Sequence, residues 1–170
     1  MINLIRLQQD SAQIIVDDPW QLVRGPEDPV PDTAILPLQR WRELHSMGDL
    51  QGQEISRHGL LLQPDDEPET LLDWLPVLPL IAIDFPSFRD GRGYSQAYLL
   101  RTRLGWQGEL RAVGDVLRDQ LAHMRQCGFD SFAVREDKSV DDALKGLQGL
   151  SVLYGRSVLE PRPLFRRRQS

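Results

Sequence analysis

Short apolar runs alternate with stretches of helical spacing along most of the chain. Ala34-Ile35-Leu36, Gly59 to Leu62, Leu80 to Ile83, Glu109 to Val113 and Ser131 to Val134 read as strands. Leu38, Trp41, Leu44 and Met47 follow the first at helical spacing, closed by Gly48. Asp65-Asp66-Glu67-Pro68 then opens a helix with Leu71, Leu72, Leu75 and Leu78 inside, ended by Pro76 and Pro79. Ala97, Leu100, Arg101 and Leu104 mark a third helix, up to Gly105. Leu117, Leu121 and Met124 mark a fourth, with Gly128 as its left-handed stop and Phe129 folding back on Met124. Ser139, with Asp142 three residues on, caps a last helix lined by Val140, Ala143, Leu144 and Leu147.

This rhythm of strand and helix, repeated about five times, predicts an α/β fold with a mainly parallel sheet. Runs apolar at every position, such as Leu60 to Leu62, fit strands covered on both faces. The sheet is either open or an incomplete βα barrel. The repeat is too short for a full barrel, which favours the open form. Before it, Ile2 to Leu7 and Gln13 to Val16 flank Gln8-Gln9-Asp10-Ser11 and predict an N-terminal β-hairpin. Residues 17–32 carry Pro19, Pro26, Pro29, Pro31 and Gly25 and read as an extended connector. The expected organisation is a single domain: hairpin and connector over 1–32, βα core over 33–160, and a frayed tail over 161–170 containing Arg166-Arg167-Arg168.

Charge and cysteine content narrow the function classes. The net charge is -5 and the pI about 5.2, which argues against general nucleic-acid binding. Cys127 is the only cysteine, so there is no internal disulfide, thiolate cluster or Fe–S ligation to expect, and a reducing cytoplasm suits the chain. Met1 to Arg6 does not read as a signal peptide, and no apolar run reaches the roughly 20 residues that span a bilayer.

Parallel strands collect their C-terminal ends on one edge, where such folds place their sites. That edge gathers Asp84, Ser87, Arg89 and Arg92 after the third strand, Asp115 after the fourth, and Arg135, Glu136 and Lys138 after the fifth. Gly91, Gly93 and Gly114 would let backbone amides approach a ligand. Asp90-Gly91-Arg92-Gly93 opens a helix, whose free amides favour an anion. A small-anion or phosphate-type site follows, with Ser87, Arg89, Gly91, Arg92, Gly93 and Arg135 binding and Asp84, Arg111 and Asp115 as the catalytic set. The competing reading is a tight loop whose arginines pair with Asp84, Asp90 and Asp115. Glu109 and Arg111 share a strand face, lining either a polar cavity or the wet face of an edge strand. Asp115 and Asp119 are either a carboxylate pair or, more simply, an N-cap and a dipole-complementing charge. His123 and Cys127 lie one turn apart, but two ligands make no metal site, and none is expected. The chain has no nucleophile elbow, no Walker motif and no GxGxxG after a strand.

Asp84-Phe85-Pro86-Ser87-Phe88-Arg89-Asp90-Gly91-Arg92-Gly93-Tyr94-Ser95 through Leu99-Leu100-Arg101 resembles the hallmark of a family of uncharacterised bacterial proteins. So do Gly108 to Leu117, Asp119-Gln120-Leu121 and Cys127-Gly128-Phe129-Asp130. Members are commonly encoded beside the sulfite/nitrite reductase haemoprotein and are labelled oxidoreductases of sulfite reduction. The resemblance implies a cytoplasmic role in assimilatory sulfur metabolism. It leaves two expectations: an accessory protein that binds the reductase or a small anion, or an enzyme with an Arg/Asp site at the strand ends. An oxidoreductase needs an electron carrier, and no haem, Fe–S or dinucleotide motif is present, so the cofactor stays unassigned.

Overall fold

The five apolar runs all form strands, and three more join them. A computed structural model describes residues 1–9, 11–46 and 57–147. Its strands are β1 (Leu4–Gln8), β2 (Ser11–Ile15), β3 (Gln21–Leu22), β4 (Ala34–Pro37), β5 (His58–Leu62), β6 (Leu80–Phe85), β7 (Glu109–Gly114) and β8 (Ser131–Ala133). The helices among the described residues are α1 (Leu38–Ser46), α2 (Arg92–Thr102), α3 (Leu121–Cys127) and α4 (Val140–Lys145). One eight-stranded sheet runs β2-β1-β8-β7-β6-β5-β4-β3. Pairing is parallel from β3 to β8, while β1 is antiparallel to both β8 and β2. The sheet is therefore mixed, with eight strands in place of five units and a separate hairpin.

From β3 to β8 each crossover steps to the next strand in the same direction. Right-handed crossovers that never reverse keep all helices on one face. Accordingly Trp41, Ala97, Leu100, Leu121, Met124 and Ala143 of the helices join one core with Leu36, Leu60, Ile81, Ile83, Leu110 and Phe132 of the strands. The opposite face carries Leu4, Ile35, Leu61, Leu80, Ala82, Val113 and Ala133, packed with Met1, Ile15, Trp20 and Leu22. The sheet curls into a half-barrel, not the open form favoured by its length.

Two other expectations change. The connector is no spacer: Gln21 and Leu22 pair with Ala34 and Ile35 as the edge strand β3. The segment after β5 is a 3-10 turn, Pro68–Leu71, followed by irregular turns, and Leu72 is exposed. Pro76 lies too close behind Pro68 for a longer α-helix to settle. Met47 and Gly48, Asp10 of the hairpin turn, and the tail from 161 lie outside the described residues.

The stop at Gly128 and the cap at Ser139 behave as read. Gly128 has φ 114°, its N–H donates to Arg125 O at 3.1 Å, and Phe129 N–H donates to Met124 O at 3.1 Å. Ser139 Oγ accepts from Asp142 N–H at 3.1 Å. Gly93 docks α2 on the sheet: a Cβ there would lie 2.7 Å from the Phe85 ring and 3.0 Å from Ile83. Gly91 has open space around it. Gly93→Ala is therefore expected to lower stability by about 1–3 kcal/mol, with Gly91→Ala near neutral, as read by urea denaturation.

A buried imidazole pair closes the other end of the core. His45 Nε2 lies 3.3 Å from His58 Nδ1, and Trp41 Nε1–H donates to His58 O at 3.2 Å. Burial, followed by the neighbouring His58, holds His45 down at about 4 from 6.5. Burial and Arg57 also lower His58, against a raising effect of Asp32. The unfolded chain binds these protons more readily than the folded one. Stability is then complete above about pH 6.5 and falls as pH drops towards about 4. His45→Gln should flatten that slope in denaturant titrations run across the same range.

Candidate functional site

The C-terminal strand ends meet on one rim, and carboxylates hold most of its arginines. Asp84, on the concave face near the end of β6, is only 5% exposed. Arg24, just past β3, grips it end-on: Nη1 to Oδ2 at 2.8 Å and Nη2 to Oδ1 at 3.0 Å. Arg24 is kept there by its neighbour Gly25, whose carbonyl accepts from Arg40 Nη1 of α1 at 2.8 Å. Gly114 makes room for this pair. Its φ is +95°, and a Cβ would lie 2.5 Å from Phe85 O and 2.7 Å from Asp84 Oδ1.

Asp115 joins three loops. It accepts from Phe88 N–H at 2.7 Å and from Arg135 Nη1 at 2.5 Å. Gln120 Nε2 donates to Phe88 O at 2.6 Å. Arg135 also clamps Asp137 through Nε at 2.6 Å and Nη2 at 3.1 Å. A hollow of about 460 Å3 opens here, lined by Arg24, Asp84, Pro86, Gly114, Asp115 and Arg135.

Asp115 is therefore no helix cap. A 3-10 turn, Arg118–Gln120, precedes α3, and Gln120 Oε1 accepts from Leu117 N–H at 3.2 Å. Asp119 sits in that turn.

The loop after β6 is occupied by its own side chains. Asp90 Oδ1 accepts from Arg92 N–H and Nε, both at 3.0 Å, and Oδ2 from Nη2 at 2.7 Å. Asp90 thus takes the place at the start of α2 expected for an external anion. The hydrogen bonds from Arg92 hold its carboxyl at about 2. Arg92 reaches Asp65 as well, at 2.8 Å. Ser87 Oγ accepts from Arg89 N–H at 3.2 Å. The Arg89 guanidinium lies over the Phe88 ring at 5.4 Å and makes no ion pair among the described residues. A side chain at Gly93 would meet Phe85 and one at Gly114 would meet Phe85 and Asp84, while Gly91 remains open.

Arg111 does not reach the rim. It is fully buried in the middle of β7, below Val113 on the concave face. It holds both oxygens of Asp18 at 2.9 Å and Glu109 Oε2 at 2.6 Å. Ser131 Oγ donates to Glu109 at 2.9 Å, Arg6 bridges Asp18 and Glu109 at 3.3 Å, and the Met1 ammonium lies 3.3 Å from Asp18. Burial works to raise the Asp18 carboxyl, but Arg111 and the ammonium outweigh it and leave it lowered. Because β7 lies between β6 and β8, the edge-strand reading of Glu109 and Arg111 fails. A salt-bridge network fills the expected polar cavity.

On the helical face His123 Nε2 is 4.0 Å from Cys127 Sγ, and burial pushes that thiol up. Among the described residues no group of three or more His, Cys, Asp or Glu is placed to hold a metal. No helix among them is long and apolar enough to cross a membrane.

Arg24 and Asp18 escaped the sequence reading because both lie in the proline-rich connector. Gln21-Leu22-Val23 beside Arg24 was the available signal, a strand-like triplet too short to separate from loop.

These features define a curled α/β half-barrel with helices outside and an arginine–carboxylate rim at its parallel strand ends. The chain belongs to the family described as bacterial protein of unknown function (DUF934), whose model matches residues 59–165. That range includes the rim residues of β6 to β8 but neither Arg24 nor Asp18. No curated protein matches the chain.

Burial separates the two arginine networks energetically. Arg111→Ala removes the fully buried partner of Asp18 and Glu109 and is expected to cost roughly 3–5 kcal/mol. Arg135→Ala, at a partly exposed pair, should leave stability almost unchanged. Chemical denaturation of both variants reads the difference.

Proposed function

We propose that the rim binds a small anion and that the chain is an accessory protein of assimilatory sulfite reduction, with the reductase haemoprotein as its partner. The position of Arg24 carries the anion half of this reading. It lines the 460 Å3 rim hollow, a cavity of about 720 Å3 on the concave face, and a third of about 290 Å3 beside α1. Its Nη atoms hold Asp84, Nε has no partner among the described residues, and 47% of the side chain is exposed. Arg89 adds a guanidinium that no carboxylate of the described residues neutralises. The sulfite-reduction half rests on the family resemblance of the Asp84–Ser95 and Gly108–Leu117 segments.

The alternative is an enzyme of the same process. Its support is Asp84, an inward carboxylate at the end of a barrel-like strand, where such folds keep reactive groups. Arg24 would orient it as a base. Arg111 has no part in this version, being spent on Asp18 and Glu109.

Calorimetric titration with sulfite, sulfate and phosphate tests the site. Arg24→Gln should weaken binding by about 10- to 100-fold, the loss of one charge-assisted contact. Unchanged affinity would reject Arg24 as the anchor. Mixing the chain with the reductase haemoprotein tests the partnership: co-elution or altered sulfite turnover supports it, and neither effect removes it. Turnover abolished by Asp84→Asn, with anion binding retained, would favour the enzyme.

A further inference from the structure

The 720 Å3 cavity is larger than an inorganic oxyanion needs and falls in the range of pockets that enclose organic ligands. Arg24, Gly114 and Arg135 line both it and the rim hollow, so the two adjoin. Its remaining lining is mainly apolar: Ile2, Trp20, Leu22, Val113 and Ala133. Val113 and Ala133 belong to the concave core, against which Trp20 and Leu22 pack. A bare oxyanion gains nothing from such a wall, whereas a hydrocarbon or aromatic body does.

The charges at the mouth are unequal in what they have left to give. Arg135 spends Nε and both Nη atoms on Asp115 and Asp137. Arg24 retains Nε, and Gln21 adds an exposed amide. Glu136 is exposed and has no partner among the described residues, so its charge repels an anion bound beside it.

We propose that this cavity binds an organic anion, with an oxyanion head on Arg24 and a flat apolar body against Trp20, Leu22, Val113 and Ala133. The inference rests on Arg24 as the anion anchor and adds the chemical class of the ligand. Leu22 and Ile2 decide how much body is admitted, since both stand at the cavity wall and neither is fully buried.

The test compares three probes on the full chain by calorimetry: inorganic sulfate, 2-naphthalenesulfonate, and 2-naphthylmethylammonium, which keeps the ring and reverses the charge. The naphthalenesulfonate should bind about tenfold more tightly than sulfate, the gain expected from partly burying one ring. Leu22→Trp should erase that gain and leave sulfate affinity unchanged. Ile2→Trp, at a residue 62% exposed, obstructs the same cavity from its mouth and serves should Leu22→Trp fail to fold. Glu136→Gln should tighten the sulfonate by about two- to threefold. Equal affinity for sulfate and naphthalenesulfonate, or no effect of filling the cavity, would overturn the organic ligand and leave the rim site standing. Tighter binding of the ammonium probe would overturn the sign of the charge. Failure of both anions to bind would remove this inference and the rim site together.

Discussion

A guanidinium in the middle of a buried strand dictates much of the architecture. Arg111 lies between Leu110 and Ala112, both fully buried on the helical side, so its own side chain must go to the concave face. An ion there is tolerated only if carboxylates meet it with good geometry. Glu109 comes from the same strand, but Asp18 comes from a distant connector. Meeting that requirement draws the start of the connector, Asp18 to Trp20, across the concave face. It also seats the Met1 ammonium and Arg6 beside Asp18 and delivers Arg24 to the far end of the sheet.

The concave face consequently has three levels along β6 and β7. Leu80 faces Glu109 at the bottom, Ala82 faces the buried Arg111 in the middle, and Asp84 faces Val113 at the top. Among the described residues helices cover only the convex side, which leaves the top and the adjoining cavity open. Sequential strand order removes the switch-point crevice of doubly wound sheets. The rim loops replace it as the place where separate segments converge. Asp115 ties the loops after β6, β7 and β8, and Arg24 ties the connector to β6.

The strands were legible wherever apolar residues ran unbroken, because burial on both faces leaves no polar interruptions, as at Leu60 to Leu62 and Leu80 to Ile83. The stop at Gly128 and the start at Ser139 were legible because cap chemistry is local. Curvature was not, since it depends on which strand lies beside which. β3 was hidden by its length of two residues. The rim was legible as a collection of residue types but not as a set of pairings. Asp90 answers Arg92 and Glu109 answers Arg111 from two residues away, whereas Arg24 lies 60 residues from Asp84 and Asp18 lies 93 from Arg111. Spacing rules do not reach that far.

The pairing of β1 with β8 orders events during synthesis. Strands β4 to β8 each find a neighbour made just before them, but Leu4 has to wait for Ala133. Loop closure over that length adds little to the equilibrium cost, though it slows assembly. Until the hairpin arrives, Ser131-Phe132-Ala133 presents bare amides and carbonyls that another nascent chain can pair with. Among the described residues the last strand to be made is therefore sealed by the first.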